Sequence, residues 1–180
     1  MEFVEYVLGL EACNVNCVNS KGCTSLYIAA RDGLDSVVKL LLACAGADVN
    51  RPENMGWTPV AAAAIGGHLA CVEQLVNAHC NVDTLNNNHR SPVYHAATEG
   101  HSAVLERLIV AGADINARSI KGFSPVAACA KRGEKACLLL LLKYGADITL
   151  TNNEGWTAAH SAVSAGKKSC LEVLIDHGAD

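Results

Sequence analysis

Residues 112–147 read GADINARSIKGFSPVAACAKRGEKACLLLLLKYGAD, and this stretch decides the fold. It opens on Gly112-Ala113-Asp114 and, 33 residues on, closes on Gly145-Ala146-Asp147. Between these marks Ser124-Pro125 has the form of a hydroxyl N-cap followed by Pro at the first helical position. A short helix therefore starts there. It carries the small pair Cys129-Ala130 and ends at Gly133. A second helix follows with apolar residues at Cys137, Leu138, Leu141 and Leu142, one buried stripe at helical period.

The same features recur along the chain. Gly22, Gly56, His89, Gly122 and Gly155 each open a unit, with spacings of 34, 33, 33 and 33, and Gly33, Gly67, Gly100, Gly133 and Gly166 follow 11 residues later. Thr24, Thr58, Ser91, Ser124 and Thr157 stand at the cap, and the second-helix stripes include Val37, Val38, Leu41, Leu42 and Val104, Leu105, Leu108, Ile109. A period of this length means stacked supersecondary units that bury their apolar faces against one another. The units run over 22–55, 56–88, 89–121, 122–154 and an incomplete 155–180, with a partial unit at 1–21 in which Asn14-Val15-Asn16 takes the Asp-Val-Asn place. His79 stands where other units close the second helix with Gly, and an extra residue among Ala43 to Ala45 predicts a local bulge.

Thr-Pro at the first helix, Gly before the second and Gly-Ala-Asp-Val-Asn (Gly46 to Asn50) after it closely resemble the ankyrin-repeat family, over essentially the whole chain. The resemblance implies a single domain over 1–180, an all-α repeat solenoid of helix-turn-helix pairs joined by β-hairpin-like links. One departure stands out. The family's Thr-Pro-Leu-His tetrad keeps its His only at His160, with Tyr27, Ala61, Tyr94 and Ala127 elsewhere.

Composition narrows the function. A formal net charge of -4 offers no broad basic surface for phosphates, so nucleic acid is not expected. The longest apolar run, Ala136 to Leu142, is seven residues, far short of the roughly 20 needed to span a bilayer, so no membrane insertion is expected. The acidic N-terminus lacks a secretory pattern, and a cytoplasmic location, with a nuclear one left open, is expected.

Of the nine cysteines, Cys71, Cys137 and Cys170 share the repeat position of Val37 and Val104, and Cys129 stands where other units have Ala. They read as small core residues, with equivalent positions roughly 8 to 10 Å apart in successive repeats, beyond disulfide reach. Cys13, Cys17 and Cys23 lack the paired spacing of a zinc site. No His stands in a nucleophile-bearing context, no phosphate loop is present and no carboxylate pair recurs, so neither an enzyme nor a cofactor or metal is expected.

The family resemblance places a partner along the concave side, where link tips and first helices meet. Mapped here, the residue after each unit opening is Cys23, Trp57, Arg90, Phe123 or Trp156. Trp and Arg are enriched among residues that dominate interface energy. A large side chain at this place either reaches the partner or packs on its own turn, and an aromatic one can do both. Met55, Asn88, Lys121 and Glu154 flank the row in the links, and Arg31, Glu99 and Arg132 lie at the ends of first helices, where Asp32 and Lys131 adjoin them. Their charges are mixed, which implies no single-sign partner. The expectation is a monomeric, non-enzymatic module that binds another protein or an extended peptide. Its alternative is a regulatory or substrate-recruiting segment of a larger multidomain protein.

Overall fold

The computed structural model describes residues 14–179. Ten helices follow one another in them: α1 (Ser25–Arg31), α2 (Asp35–Leu42), α3 (Pro59–Gly66), α4 (Leu69–Asn77), α5 (Pro92–Thr98), α6 (Ser102–Val110), α7 (Pro125–Arg132), α8 (Lys135–Lys143), α9 (Ala158–Ser164) and α10 (Lys168–Asp176). Each odd-numbered helix packs on the even-numbered one after it. The odd helices also stack on one another in chain order, as do the even ones, which gives a two-layer all-α solenoid.

None of these helices exceeds nine residues. Isolated helices shorter than roughly 12 residues are marginal in water, so caps and packing hold them. At the start of the odd helices Thr24, Thr58, Ser91, Ser124 and Thr157 each accept a hydrogen bond from the backbone N–H three residues on, at 3.0 to 3.4 Å. The cap needs only a hydroxyl and a backbone donor, so it survives loss of the tetrad histidine in four repeats. His160 adds the reciprocal half, with its Nδ1 accepting from Thr157 N–H at 3.4 Å.

Small residues let the odd helices approach: Ala30, Ala63, Ala64, Ala96, Ala97, Cys129, Ala130 and Ala162 have no exposed surface. Behind them the even helices contribute Val38, Val72, Leu75, Leu105, Leu108, Leu138, Leu141 and Leu174, also fully covered. Each Leu or Val buried in this way stabilises by about 1.5–3 kcal/mol relative to exposure. Cys71, Cys137 and Cys170 fill equivalent core sites beside Val104, all at most 1% exposed. The thiols of Cys17, Cys23, Cys44, Cys71, Cys80, Cys129, Cys137 and Cys170 are free. One pair is closer than comparison of equivalent repeat positions implies. Cys129 and Cys137 sit on the two helices of one repeat and interact, and that contact together with burial holds the Cys129 thiol far above the ordinary range, protonated. Cys13 lies outside the described residues.

Two polar ladders fix the register between repeats. In the links, Asn16, Asn50, Asp83 and Asn116 each accept, through a side-chain oxygen, the backbone N–H of Asp48, Asn81, Asp114 and Asp147 in the next repeat, at 2.7 to 3.0 Å. At the tips, the N–H groups of Asn54, Asn87, Ile120 and Asn153 donate to the carbonyls of Lys21, Met55, Asn88 and Lys121 in the repeat before, at 2.9 to 3.1 Å. Asn16 joins the first ladder as its place in the partial unit at 1–21 implies, and Asn14 accepts the Asn16 N–H within that unit. Most of that unit lies outside the described residues.

The links close like hairpins but contain no extended strands; Val18 and Thr24 form the one isolated bridge among the described residues. The extra residue in the first full repeat makes the expected bulge. Elsewhere the residue just after the helix-closing position donates back into the helix, as Ala113 does to Leu108 and Ala146 to Leu141, whereas Ala47 reaches only Cys44. Where His replaces Gly, the backbone does not change to suit it: His79 and His89 adopt φ of 58° and 56°, the left-handed conformation of the glycines they replace.

Candidate functional site

Every tip is shaped by one side chain three residues before the unit opening. Glu53, Asn86 and Asn152 each accept backbone N–H bonds from the residues two and four ahead, at 2.8 to 3.2 Å, and Ser119 Oγ accepts from Phe123 N–H at 3.2 Å. The residue four ahead is Trp57, Arg90, Phe123 or Trp156. A polar pin in each link thus sets the backbone beneath each member of the row that the sequence singled out.

Seven of the eleven expected binding residues line one cavity of about 470 Å³: Trp57, Asn88, Arg90, Glu99, Lys121, Phe123 and Arg132. It lies between the tips around Asn88 and Lys121 and the helices α5 and α7. Trp57 both packs and faces the cavity. Its ring is stacked on His95 of the next repeat, centroids 4.5 Å apart, and it rests on the small cluster of Cys23, Tyr27 and Ala62. Arg90 holds its guanidinium 5.2 Å from the Tyr94 ring centre, with a buried Nε that has no hydrogen-bond partner. Lys131 lies over Phe123 at 5.3 Å. Glu99 and Arg132 pair at 3.4 Å, and Arg132 also donates to the Thr98 carbonyl.

The other four stand apart. Met55 and Glu154 are exposed tips outside the cavity. Arg31 is taken up by its neighbour Asp32 at 2.7 Å. Trp156, 38% exposed, lines a second cavity of about 430 Å³ with His160, Val163, Leu171, Ile175 and Ala179. This is the open face of the last helix pair. Val163 is 62% exposed, whereas the equivalent Ala30, Ala64, Ala97 and Ala130 are covered by the following repeat.

Tyr94, His95 and Thr98 line the main cavity without having been singled out for binding in the sequence, and Lys131, noted there only as a neighbour of Arg132, joins them. One signal marks His95 in advance: it holds a repeat position filled elsewhere by Ile28, Ala62, Ala128 and Ser161. His95 is 4% exposed and lies 3.4 Å from the side-chain amide of Asn86. Burial, helped by the charge of Arg90, lowers its pKa from 6.5 to about 4, so the imidazole is neutral at physiological pH. Burial likewise raises the Tyr94 phenol above its ordinary value.

The charges do not mix as the linear order implies. Arg90, Lys121, Lys131 and Arg132 converge on the cavity against the single carboxylate of Glu99, although the whole chain is net acidic. The expectation that no sign predominates is corrected at this place. The cause is geometric: these cations occupy different positions in two successive repeats, and stacking brings them together.

Among the described residues no three His, Cys, Asp or Glu side chains are grouped to hold a metal ion. No helix among them is long and apolar enough to cross a membrane. What the cavity offers is an aromatic surface, unpaired cations and neutral hydrogen-bonding groups, which suits recognition of an extended segment.

Comparison with known proteins agrees with the geometry. Family profiles described as "Ankyrin repeats (3 copies)" match residues 47–119 and 105–180, and one described as "Ankyrin repeats (many copies)" matches 10–63. Protein phosphatase 1 regulatory subunit 12A of Mus musculus is 43% identical over 65 residues, which cover 36% of this chain and 6% of that protein. The Photoreceptor ankyrin repeat protein of Homo sapiens is 39% identical over 66 residues, 37% of this chain and 15% of that one. SMC5-SMC6 complex localization factor protein 1 of Homo sapiens is 35% identical over 72 residues, 40% and 7% respectively. In each case the match spans a small part of a much longer relative.

Proposed function

The chain belongs to the ankyrin-repeat family, whose repeats are protein-interaction units, and from that premise we propose that it is a non-enzymatic module that holds a partner protein along its concave face. The observation that carries this reading is the cavity at which Trp57, Arg90 and Phe123 from three successive repeats meet Asn88 and Lys121 at the tips. Side chains of the kinds that anchor interfaces converge there on a rigid frame, and preorganisation lowers the entropy lost on binding. An extended segment laid across several repeats would bury on the order of 800 Å² per side. The buried free thiols, which gain nothing from an oxidising compartment, favour a cytoplasmic location.

Trp57 is a poor single probe of binding because its stack on His95 also supports the fold. Asn88→Trp, which sets bulk on an exposed tip at the cavity, and Trp156→Ala separate the two roles better. Affinity capture from the native lysate should lose its principal partner at least fivefold with one or both. Val110→Ser and Leu139→Ser on the even-numbered helices should retain it, as these side chains are 66% and 42% exposed and line neither cavity. Loss of partner by these two variants alone would overturn the reading.

A second reading makes these repeats the docking segment of a larger regulatory protein. It is favoured by the matched relatives, of which the aligned segment forms 6 to 15%, and by the name of one as a regulatory subunit. The length of the native open reading frame decides between a free-standing module and a segment.

A further inference from the structure

The cavity between α5 and α7 is more specific than a general concave surface. Four cationic side chains line it, Arg90, Lys121, Lys131 and Arg132, against one carboxylate, Glu99. Arg132 is engaged by Glu99 at 3.4 Å. Arg90, Lys121 and Lys131 form no ion pair among the described residues, and the chain around them carries a formal net charge of -4. Arg90 and Lys131 lie against the rings of Tyr94 and Phe123, and beyond the Arg132–Glu99 pair no carboxylate offsets the like charges gathered here.

Nothing in the fold requires this arrangement. Lys121 and Lys131 are exposed, and the equivalents of Lys121 whose carbonyls serve the same backbone ladder are Lys21, Met55 and Asn88, so the ladder does not require a cation. Arg90 is more telling. Its guanidinium is held over Tyr94, and its buried Nε lacks an acceptor, a position that leaves a charged donor short of a hydrogen bond. A carboxylate entering from the cavity supplies acceptors to such a guanidinium in the geometry it prefers. Beside the cations, Trp57 and Phe123 provide apolar surface for a neighbouring side chain.

Resting on the interaction-module reading, we propose that this cavity recognises an acidic peptide segment: at least two Asp or Glu residues flanking an apolar side chain. The cations sit on separate elements, with Arg90 and Lys121 on successive links and Lys131 on the end of α7. Charges spread in this way match a run of single carboxylates along an extended chain better than one compact dianion. The neutral His95 on the aromatic side keeps that surface suited to an apolar residue between the acids.

The test uses the whole chain and fluorescein-labelled 12-residue peptides with a central Leu or Phe, flanked at fixed positions by Glu, Gln, Lys or phosphoserine. Binding is followed by fluorescence anisotropy at low and high salt. A 12-nucleotide single-stranded DNA serves as a non-peptide polyanion. The Glu series should bind roughly tenfold or more tightly than the matched Gln series, and the gap should shrink with salt. In the Lys121→Gln/Lys131→Gln variant, altered only at exposed positions, the preference should fall to within about twofold. Equal binding of the Glu and Gln series would overturn the acidic specificity while leaving the interaction-module reading in place. Tighter binding of the phosphoserine peptides or the DNA than of the Glu series would assign the cavity to phosphate. No binding by any probe would also overturn the proposal, and the lysate capture described above then judges the broader reading by itself.

Discussion

At the scale of single residues, the informative positions are those where this chain departs from its own repeat. His79 and His89 stand in glycine positions and hold φ of 58° and 56° while remaining exposed. The left-handed conformation costs a non-glycine residue roughly 1–2 kcal/mol, and neither exposed side chain belongs to the core that could offset it. His79→Gly and His89→Gly should therefore each stabilise the protein by about 1 kcal/mol in urea denaturation, less the flexibility that glycine adds to the unfolded chain. An unchanged or lowered midpoint for both would show that the histidines make contacts that offset the backbone strain. His95 departs in the opposite direction, inward. Because its folded pKa is about 4 and the unfolded value is 6.5, the unfolded chain binds an extra proton between those pH values. Stability contributed by the neutral ring is complete above about pH 6.5 and is lost as pH falls towards 4, by on the order of 3 kcal/mol. His95→Gln keeps a polar group near Asn86 and removes the titration, so its stability should fall less steeply than the wild type over that window. Parallel curves for the two proteins would contradict this assignment.

At the scale of elements, the glycine between paired helices does two tasks, only one of which can be read in sequence. Its helix-ending conformation follows from position alone. Its role in stacking does not, because the partner lies in the next repeat. Gly67 has φ of 71°, and a Cβ there would stand 2.6 Å from Nδ1 of His101, whose Nε2 bonds the Ile65 carbonyl at 2.9 Å. Gly67→Ala should cost about 2 kcal/mol, part from the backbone and part from displacing the histidine. In a His101→Ala background the second part vanishes, so the cost should drop to about 1 kcal/mol, a coupling that a double-mutant cycle in urea measures. Strictly additive costs would refute the steric link. The same limit explains what was legible in the binding site. The row of Trp57, Arg90, Phe123 and Trp156 shares one repeat position and shows as a column in the sequence. Arg90, Lys121 and Lys131 occupy three different positions, and His95 approaches Trp57 across a repeat boundary. Their convergence depends on the offset between neighbouring repeats, which no periodicity encodes.

At the scale of the whole molecule, stability is a chain of neighbour contacts. Among the described helices, the substantial contacts are within a pair or between one pair and the next. Sequence made this legible through the five in-register units and marked Asn16 and Asn50 as motif positions, whereas the bonds by which Asn16, Asn50, Asp83 and Asn116 lock each unit to the next show only in the stack. In such a system the cost of a cavity depends on where it is made. Leu108 in α6 and Leu174 in α10 are both fully covered, so truncating either to Ala removes the same atoms from a packed site and costs up to about 2–5 kcal/mol locally. Leu108 sits in the middle pair, where a defect weakens contacts on both sides and cannot be released without splitting the stack. Leu174 sits in the last described pair, beside the exposed Val163 and Ile175, and in this chain that pair can detach while the four other described pairs stay folded. Hydrogen exchange should thus show loss of protection confined to α9 and α10 in Leu174→Ala, with a small shift of the main urea transition. Leu108→Ala should lower protection throughout and move the whole transition by its full cost. If both variants lost protection uniformly, the chain would be folding as one indivisible unit, and the neighbour-contact account of its stability would have to be abandoned.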